Sequence, residues 1–98
     1  MVNPEGLHAI MDPIGMRILL ELNRRPEHVS ELARKLESPR PTVAYHLGIM
    51  EKLGILRSEY KIFKEGNPKG RVARVYSIDK RVLKKYLQET KKLFEIVE

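Results

Sequence analysis

The chain has 98 residues, 42% of them hydrophobic, and 19 Lys and Arg against 13 Asp and Glu for a net charge of +6. It can therefore fill one modest core, and it favours an anionic partner, nucleic acid ahead of a membrane surface. The absence of cysteine excludes disulfides, thiolate zinc sites and thiol nucleophiles together. No apolar run approaches the roughly 20 residues of a spanning helix, and MVNPEGLHAIM lacks the basic start and apolar middle of a secretory signal, so a cytoplasmic protein with no membrane partner is expected.

In chain order, Asn3 and Pro4 open a short helix through Met11 with Leu7, Ile10 and Met11 on its apolar side. Asp12 is placed to cap the next helix and Pro13 to begin it, and Ile14, Ile18, Leu19 and Leu22 form a stripe facing a core. Pro26 ends that helix. Val29 reads as a short extended contact, followed by Ser30 as the cap of a helix to about Leu36, whose inner face is Leu32, Ala33 and Leu36. Ser38 is the expected cap of the third helix counted from Asp12, which tolerates Pro39 and Pro41 because first-turn amides have no helical acceptor. Val43, Leu47, Met50 and Leu53 are its buried side, and Gly54 suits a left-handed helix end. Beyond Gly54 the period becomes two. Residues 55–63 and 71–78 alternate as the arms of a β-hairpin, with EGNPKG at its tip. Asp79 then caps a last helix in which Leu83, Tyr86, Leu87, Thr90, Leu93, Phe94 and Val97 follow a three-four spacing.

The third helix is unusual on its outer side, which carries Arg40, Pro41, Ala44, Tyr45 and Gly48 where Glu and Lys are customary. A helix lying in the major groove, about 12 Å wide, must bring its backbone near the base edges, so short side chains remove a steric obstacle. Arg40 can reach a phosphate or pair with guanine, Thr42 can bond a phosphate or touch a thymine methyl, and Tyr45 can bond or stack. Gly48 is the sharpest signal, since glycine within a helix costs roughly 1 kcal/mol against alanine. The competing readings are a solvated Arg40, a Tyr45 covering a neighbouring helix and a Gly48 that admits another protein element. His46 reads as a partly buried residue bonded to backbone or phosphate, not as a metal ligand. Between Arg57 and Lys85 stand ten basic residues against three acidic, so +7 of the charge falls in this stretch. Lys64, Lys69, Arg71 and Arg74 crowd the hairpin. No nucleophile and base pair, phosphate loop or His/Asp/Glu cluster is visible, so neither catalysis nor a metal or cofactor is expected.

The stretch DPIGMRILLELNRRPEHVSELARKLESPRPTVAYHLGIMEKLGILRS, with VYSID closing the hairpin, resembles the winged helix-turn-helix of the arsenical-resistance-repressor (ArsR) family of transcription regulators over about residues 10 to 80. The landmarks are DP with RILLEL, VSELA, PTVAYHL and EKLGIL. The resemblance implies an α+β, mostly α chain of one domain, residues 1–98. Residues 12–54 would be the three-helix core, 55–78 the wing, and 1–11 and 80–98 the dimerisation helices.

It also implies a homodimeric repressor on a near-palindromic stretch of double-stranded DNA. The third helix would enter the major groove through Arg40, Thr42, Ala44, Tyr45, His46 and Gly48, and the wing would hold the backbone through Lys64, Lys69, Arg71 and Arg74. Leu7, Ile10, Met11, Leu83, Tyr86, Leu87, Thr90, Leu93, Phe94 and Val97 would make the dimer interface. Pro39 and Arg40 stand where family members often carry Ser and Gln, and Tyr45 and Gly48 where a basic residue is common. The cysteines and the terminal Asp and His pairs of the metal-sensing members are absent. A different class remains open, a winged module that packs against protein or structured RNA.

Overall fold

The computed structural model describes residues 4–64, 66 and 70–97, the side chains of 93, 94, 96 and 97 excepted. Its first two helices, Pro4–Met11 (α1) and Pro13–Arg24 (α2), meet at Asp12. The Asp12 amide closes α1 on the His8 carbonyl, while its carboxylate accepts from the amides of Ile14 at 2.9 Å and Gly15 at 3.3 Å. One residue thus ends one helix and starts the next, with Pro13 where no amide hydrogen is needed. The α2 stripe is buried through Ile18, Leu19 and Leu22.

The next start differs from the sequence expectation. The extended contact is Glu27–His28 (β1), and the helix Val29–Leu36 (α3) is capped by the His28 ring, whose Nδ1 accepts from the Glu31 amide at 3.3 Å. Ser30 therefore lies inside the first turn and is not the cap. The pairing of β1 with a distant strand fixes the entry angle, and a histidine acceptor is not among the usual cap residues.

Ser38 is displaced in the same way. The recognition-type helix Arg40–Lys52 (α4) has Pro39 at its cap position with no side-chain hydrogen bond, while the Ser38 hydroxyl donates to the Leu36 carbonyl. The tight link between α3 and α4 is made by Glu37, in the left-handed region at φ 52°, which lets the Ser38 amide reach back to the Ala33 carbonyl. The end of α4 follows expectation: Gly54 has φ +82°, and the amides of Gly54 and Ile55 bond the carbonyls of Glu51 and Met50.

The arms of the hairpin are Leu56–Phe63 (β2) and Arg71–Ile78 (β3), paired antiparallel from Leu56 opposite Ile78 to Phe63 opposite Arg71. The two residues of β1 add a third strand beside β3, in the order β1, β3, β2. Asp79 caps the last helix, Lys80–Val97 (α5), by accepting from the amides of Arg81 and Val82. Ile18, Leu32, Val43, Leu47, Met50, Ile55 and Leu56 are sealed between α2, α3, α4 and the base of the sheet. That core positions α4 by its inner face and leaves its outer face bare. Among the described residues, no helix is long and apolar enough to cross a membrane.

One charge enters the packed region. Glu27 is buried on β1, and its carboxylate accepts from Arg25 Nε at 2.8 Å and Lys35 Nζ at 2.9 Å. Burial alone would raise this carboxyl. The hydrogen bonds and charges of Lys35 and Arg25 outweigh it and hold Glu27 below the ordinary glutamate range. A carboxyl lowered on folding stabilises the native state fully above its unfolded value, and that contribution disappears as pH falls through the folded value. Glu27→Gln is therefore expected to cost about 1–2 kcal/mol at neutral pH, below the figure for a fully buried pair because Arg25 is solvated. In urea titrations the gap between wild type and variant should close as the medium is made acidic; a gap that stays constant to about pH 3 would contradict the assignment.

Candidate nucleic-acid interface

The outer face of α4 is built from residues one helical turn apart, Pro41, Ala44, Tyr45, Gly48 and Lys52, all of them exposed. Thr42 is exposed beside them, and Tyr45 is 66% exposed. At Gly48 an added Cβ would meet nothing within 4 Å. No packing among the described residues asks for a glycine there, so the reading in which Gly48 admits another element of this chain has no support from them. Pro39 supplies no side-chain cap, which leaves the positive end of α4 open beside Arg40.

The cationic side chains are brought together from distant parts of the sequence. Arg40 at the start of α4 and Arg71 and Arg74 of β3 line one cleft of about 420 Å³, together with His28 and Ser30 at the start of α3. His28 and Ser30 were not among the expected interface residues. Their place follows from the pairing of His28 with Val75, and no local pattern carries that. Arg40, Lys64 and Arg71 have no ion-pair partner among the described residues. Lys69 lies outside the described residues.

Two expected contacts are engaged inside the chain. The His46 imidazole is mostly covered and turns away from the outer face, its Nε2 3.7 Å from the Asp12 carboxylate. Arg74 donates from Nη2 to Glu51 Oε1 at 2.7 Å and from Nε to the Ser58 hydroxyl at 2.7 Å. The hydrogen bond to Glu51 raises the Arg74 pKa further, so its charge is permanent. Burial pushes the neighbouring Tyr76 phenol up against the lowering influence of that guanidinium, which keeps the phenol neutral.

The residues expected at a dimer interface divide. Ile10 is buried in the core, and Leu83 and Tyr86 pack partly against it. The Tyr86 ring lies on Gly6 of α1 so closely that a Cβ there would stand 2.1 Å from it. Met11 at 54% and Leu87 at 50% exposure remain open, with Leu7 and Thr90 half-covered. Leu93, Phe94 and Val97 continue α5, but their side chains lie outside the described residues.

Comparison with known proteins agrees with this architecture. Residues 10–59 match the helix-turn-helix domain family. An HTH-type transcriptional regulator of Methanocaldococcus jannaschii is 32% identical over 84 residues, covering 82% of this chain and 86% of that protein. Among solved structures, an ArsR family transcriptional regulator superposes with a TM-score of 0.63 at 28% identity over 93% of both chains. The transcriptional repressor BigR from Xylella fastidiosa shares the fold, with a TM-score of 0.61 at 21% identity over 94% of this chain and 82% of its own.

Proposed function

We propose that this chain, which belongs to the helix-turn-helix domain family and is an ArsR-like DNA-binding transcriptional regulator, acts as a homodimeric repressor that occupies a near-palindromic operator. The observation that carries the reading is the bare outer face of α4, on the same helix whose Arg40 lines a cleft with Arg71 of the wing. In this reading α4 enters the major groove with Ala44 and Gly48 nearest the bases, while Arg40, Thr42 and Tyr45 read or anchor. Lys64, Lys69 and Arg71 hold the wing to phosphates, and His46 and Arg74, which have partners inside the chain, support that surface without contacting DNA. Leu7, Met11 and Leu87 supply an open apolar edge for a second copy, with the far end of α5 completing the seam. Half-sites then fall about one helical turn, roughly 34 Å, apart. The chain has no cysteine, so regulation by a metal thiolate is not available to it.

The test is fluorescence anisotropy against a duplex selected from a random library and against a scrambled duplex, across a salt series. Lys64, Lys69 and Arg71 in each protomer correspond to a log-log slope of about −5 for the dimer. Arg71→Ala should weaken binding to both duplexes alike and make the slope shallower by about 2, one contact in each half-site. A shallow slope with no preference between duplexes would remove the DNA reading. The outer wing favours the alternative of a protein or structured-RNA partner, because Tyr60, Ile62 and Val72 form an exposed apolar face there. That alternative is supported if Arg71→Ala leaves duplex affinity unchanged.

A further inference from the structure

The wing is held to the rest of the chain at few points. Its base is buried through Leu56, Val75 and Tyr76, the two residues of β1 pair beside it, and the Phe63 ring meets the His28 ring edge-on at 6.2 Å, whereas Tyr60, Ile62 and Val72 along the outer half are open. Strands rise about 3.4 Å per residue, so the five steps from Ser58 to Phe63 make an arm of about 17 Å. A tilt of about 10° at the base would move the far end by roughly 3 Å, enough to break a phosphate contact.

At the foot of that arm stands a closed ring of hydrogen bonds joining three elements. Arg74 of β3 donates to one oxygen of Glu51 in the last turn of α4 and to the hydroxyl of Ser58 on β2, each at 2.7 Å. The Ser58 hydroxyl in turn donates to the other Glu51 oxygen. The hydroxyl thus uses its single donor and an acceptor, and each carboxylate oxygen has a donor. The guanidinium carbon also lies 5.4 Å from the Tyr76 ring centroid and 6.0 Å from that of Tyr60. A planar fork can satisfy this arrangement, and an ammonium cannot.

We propose that Arg74 is a positioning residue, locked with Glu51 and Ser58 into a clamp that sets the angle between the wing and the recognition helix and so decides which operator spacing both can engage. Its purpose rests on the DNA-binding reading; its existence as a mechanical link does not. Bare electrostatics opposes the clamp in a useful way. Glu51 is a negative charge next to the DNA-facing surface, so its removal should tighten duplex binding if attraction to phosphates were all that mattered. If the clamp matters, the same change should loosen binding to the correct site alone.

The experiment compares wild type, Glu51→Gln and Arg74→Lys on the selected and the scrambled duplex across salt, together with amide hydrogen exchange of the free proteins. The clamp requires both variants to lose about tenfold on the selected duplex, with scrambled-duplex affinity held within about twofold and the salt slope unchanged. It also requires exchange along β2 and β3 to quicken severalfold in both. Operator binding by Glu51→Gln that is unchanged or tighter overturns the proposal, as does full retention by Arg74→Lys, which is the result for a simple phosphate anchor. Unaltered exchange in the free variants overturns it as well. Should the wild type show no preference for any duplex, the DNA reading fails by itself, and the exchange result alone decides whether the clamp holds the wing.

Discussion

Replacing Gly48 by leucine is expected to raise the stability of the fold and to abolish operator binding, two effects of opposite sign from one substitution. The position is in the middle of α4 and exposed, and a Cβ there meets nothing within 4 Å among the described residues. Helix propensity then acts unopposed, and removing glycine from a helix interior gains about 0.8 kcal/mol. For a domain of this size that raises the thermal midpoint by about 3–6 °C. The leucine side chain would stand between the α4 backbone and the base edges. Losing two good base contacts corresponds to about 3 kcal/mol, or at least about a hundredfold in specific affinity. Gly48→Ala should share the stability gain and lose far less binding, because one methyl group is the smallest obstacle that can be added. Melting curves and anisotropy on the same samples decide the matter. A leucine variant that binds the operator as the wild type does would mean that this face of α4 does not approach DNA.

Gly15→Ala, although it is chemically the same kind of change, is expected to destabilise the protein by about 2–3 kcal/mol. Gly15 is also inside a helix, but a Cβ there would stand 2.0 Å from the carbonyl oxygen of Ala9. That oxygen belongs to the backbone of α1, so no rotamer change can relieve the clash. Either α1 moves off α2 or the Asp12 junction opens, and both uncover Ala9 and Ile10, which are now buried. Against a total stability of about 5–15 kcal/mol the loss is large. Chemical denaturation should show the midpoint falling with little change in slope. A midpoint equal to or above that of the wild type would show that α1 does not lie where the structure places it. The open edge at Leu7 and Met11, proposed for dimerisation, would then have to be relocated too.

Where a local rule operates alone, the sequence was legible. Asp12 followed by Pro13 marks a helix start because the carboxylate and the ring act within three residues, and Asp79 caps α5 for the same reason. Gly54 ends α4 because a left-handed residue is needed at that spot and glycine adopts it freely. The period of two beyond Gly54 placed both arms of the hairpin within a residue of their observed bounds. Ser30 and Ser38 have the chemistry of caps but do not cap, because a competing partner takes each role: β3 holds His28 in position at one helix, and the turn through Glu37 draws Ser38 back onto α3 at the other.

The candidate site divides along the same line. That α4 carries short side chains outward could be read from its spacing. Whether Gly48 opens to solvent while Gly15 is pressed against a backbone could not, since both are glycines in amphipathic helices and only a neighbour distant in sequence separates them. Likewise ten basic residues announce an anionic partner, yet the list does not distinguish Arg71, which faces a cleft with Arg40, from Arg74, which is joined to Glu51. By itself the sequence determined the elements, their order and the sign of the charge, because caps, periodicity and composition act over a few residues. The tertiary structure decided which glycine is free and which arginine is committed, because those properties depend on atoms that meet only after strands and helices many residues apart have packed.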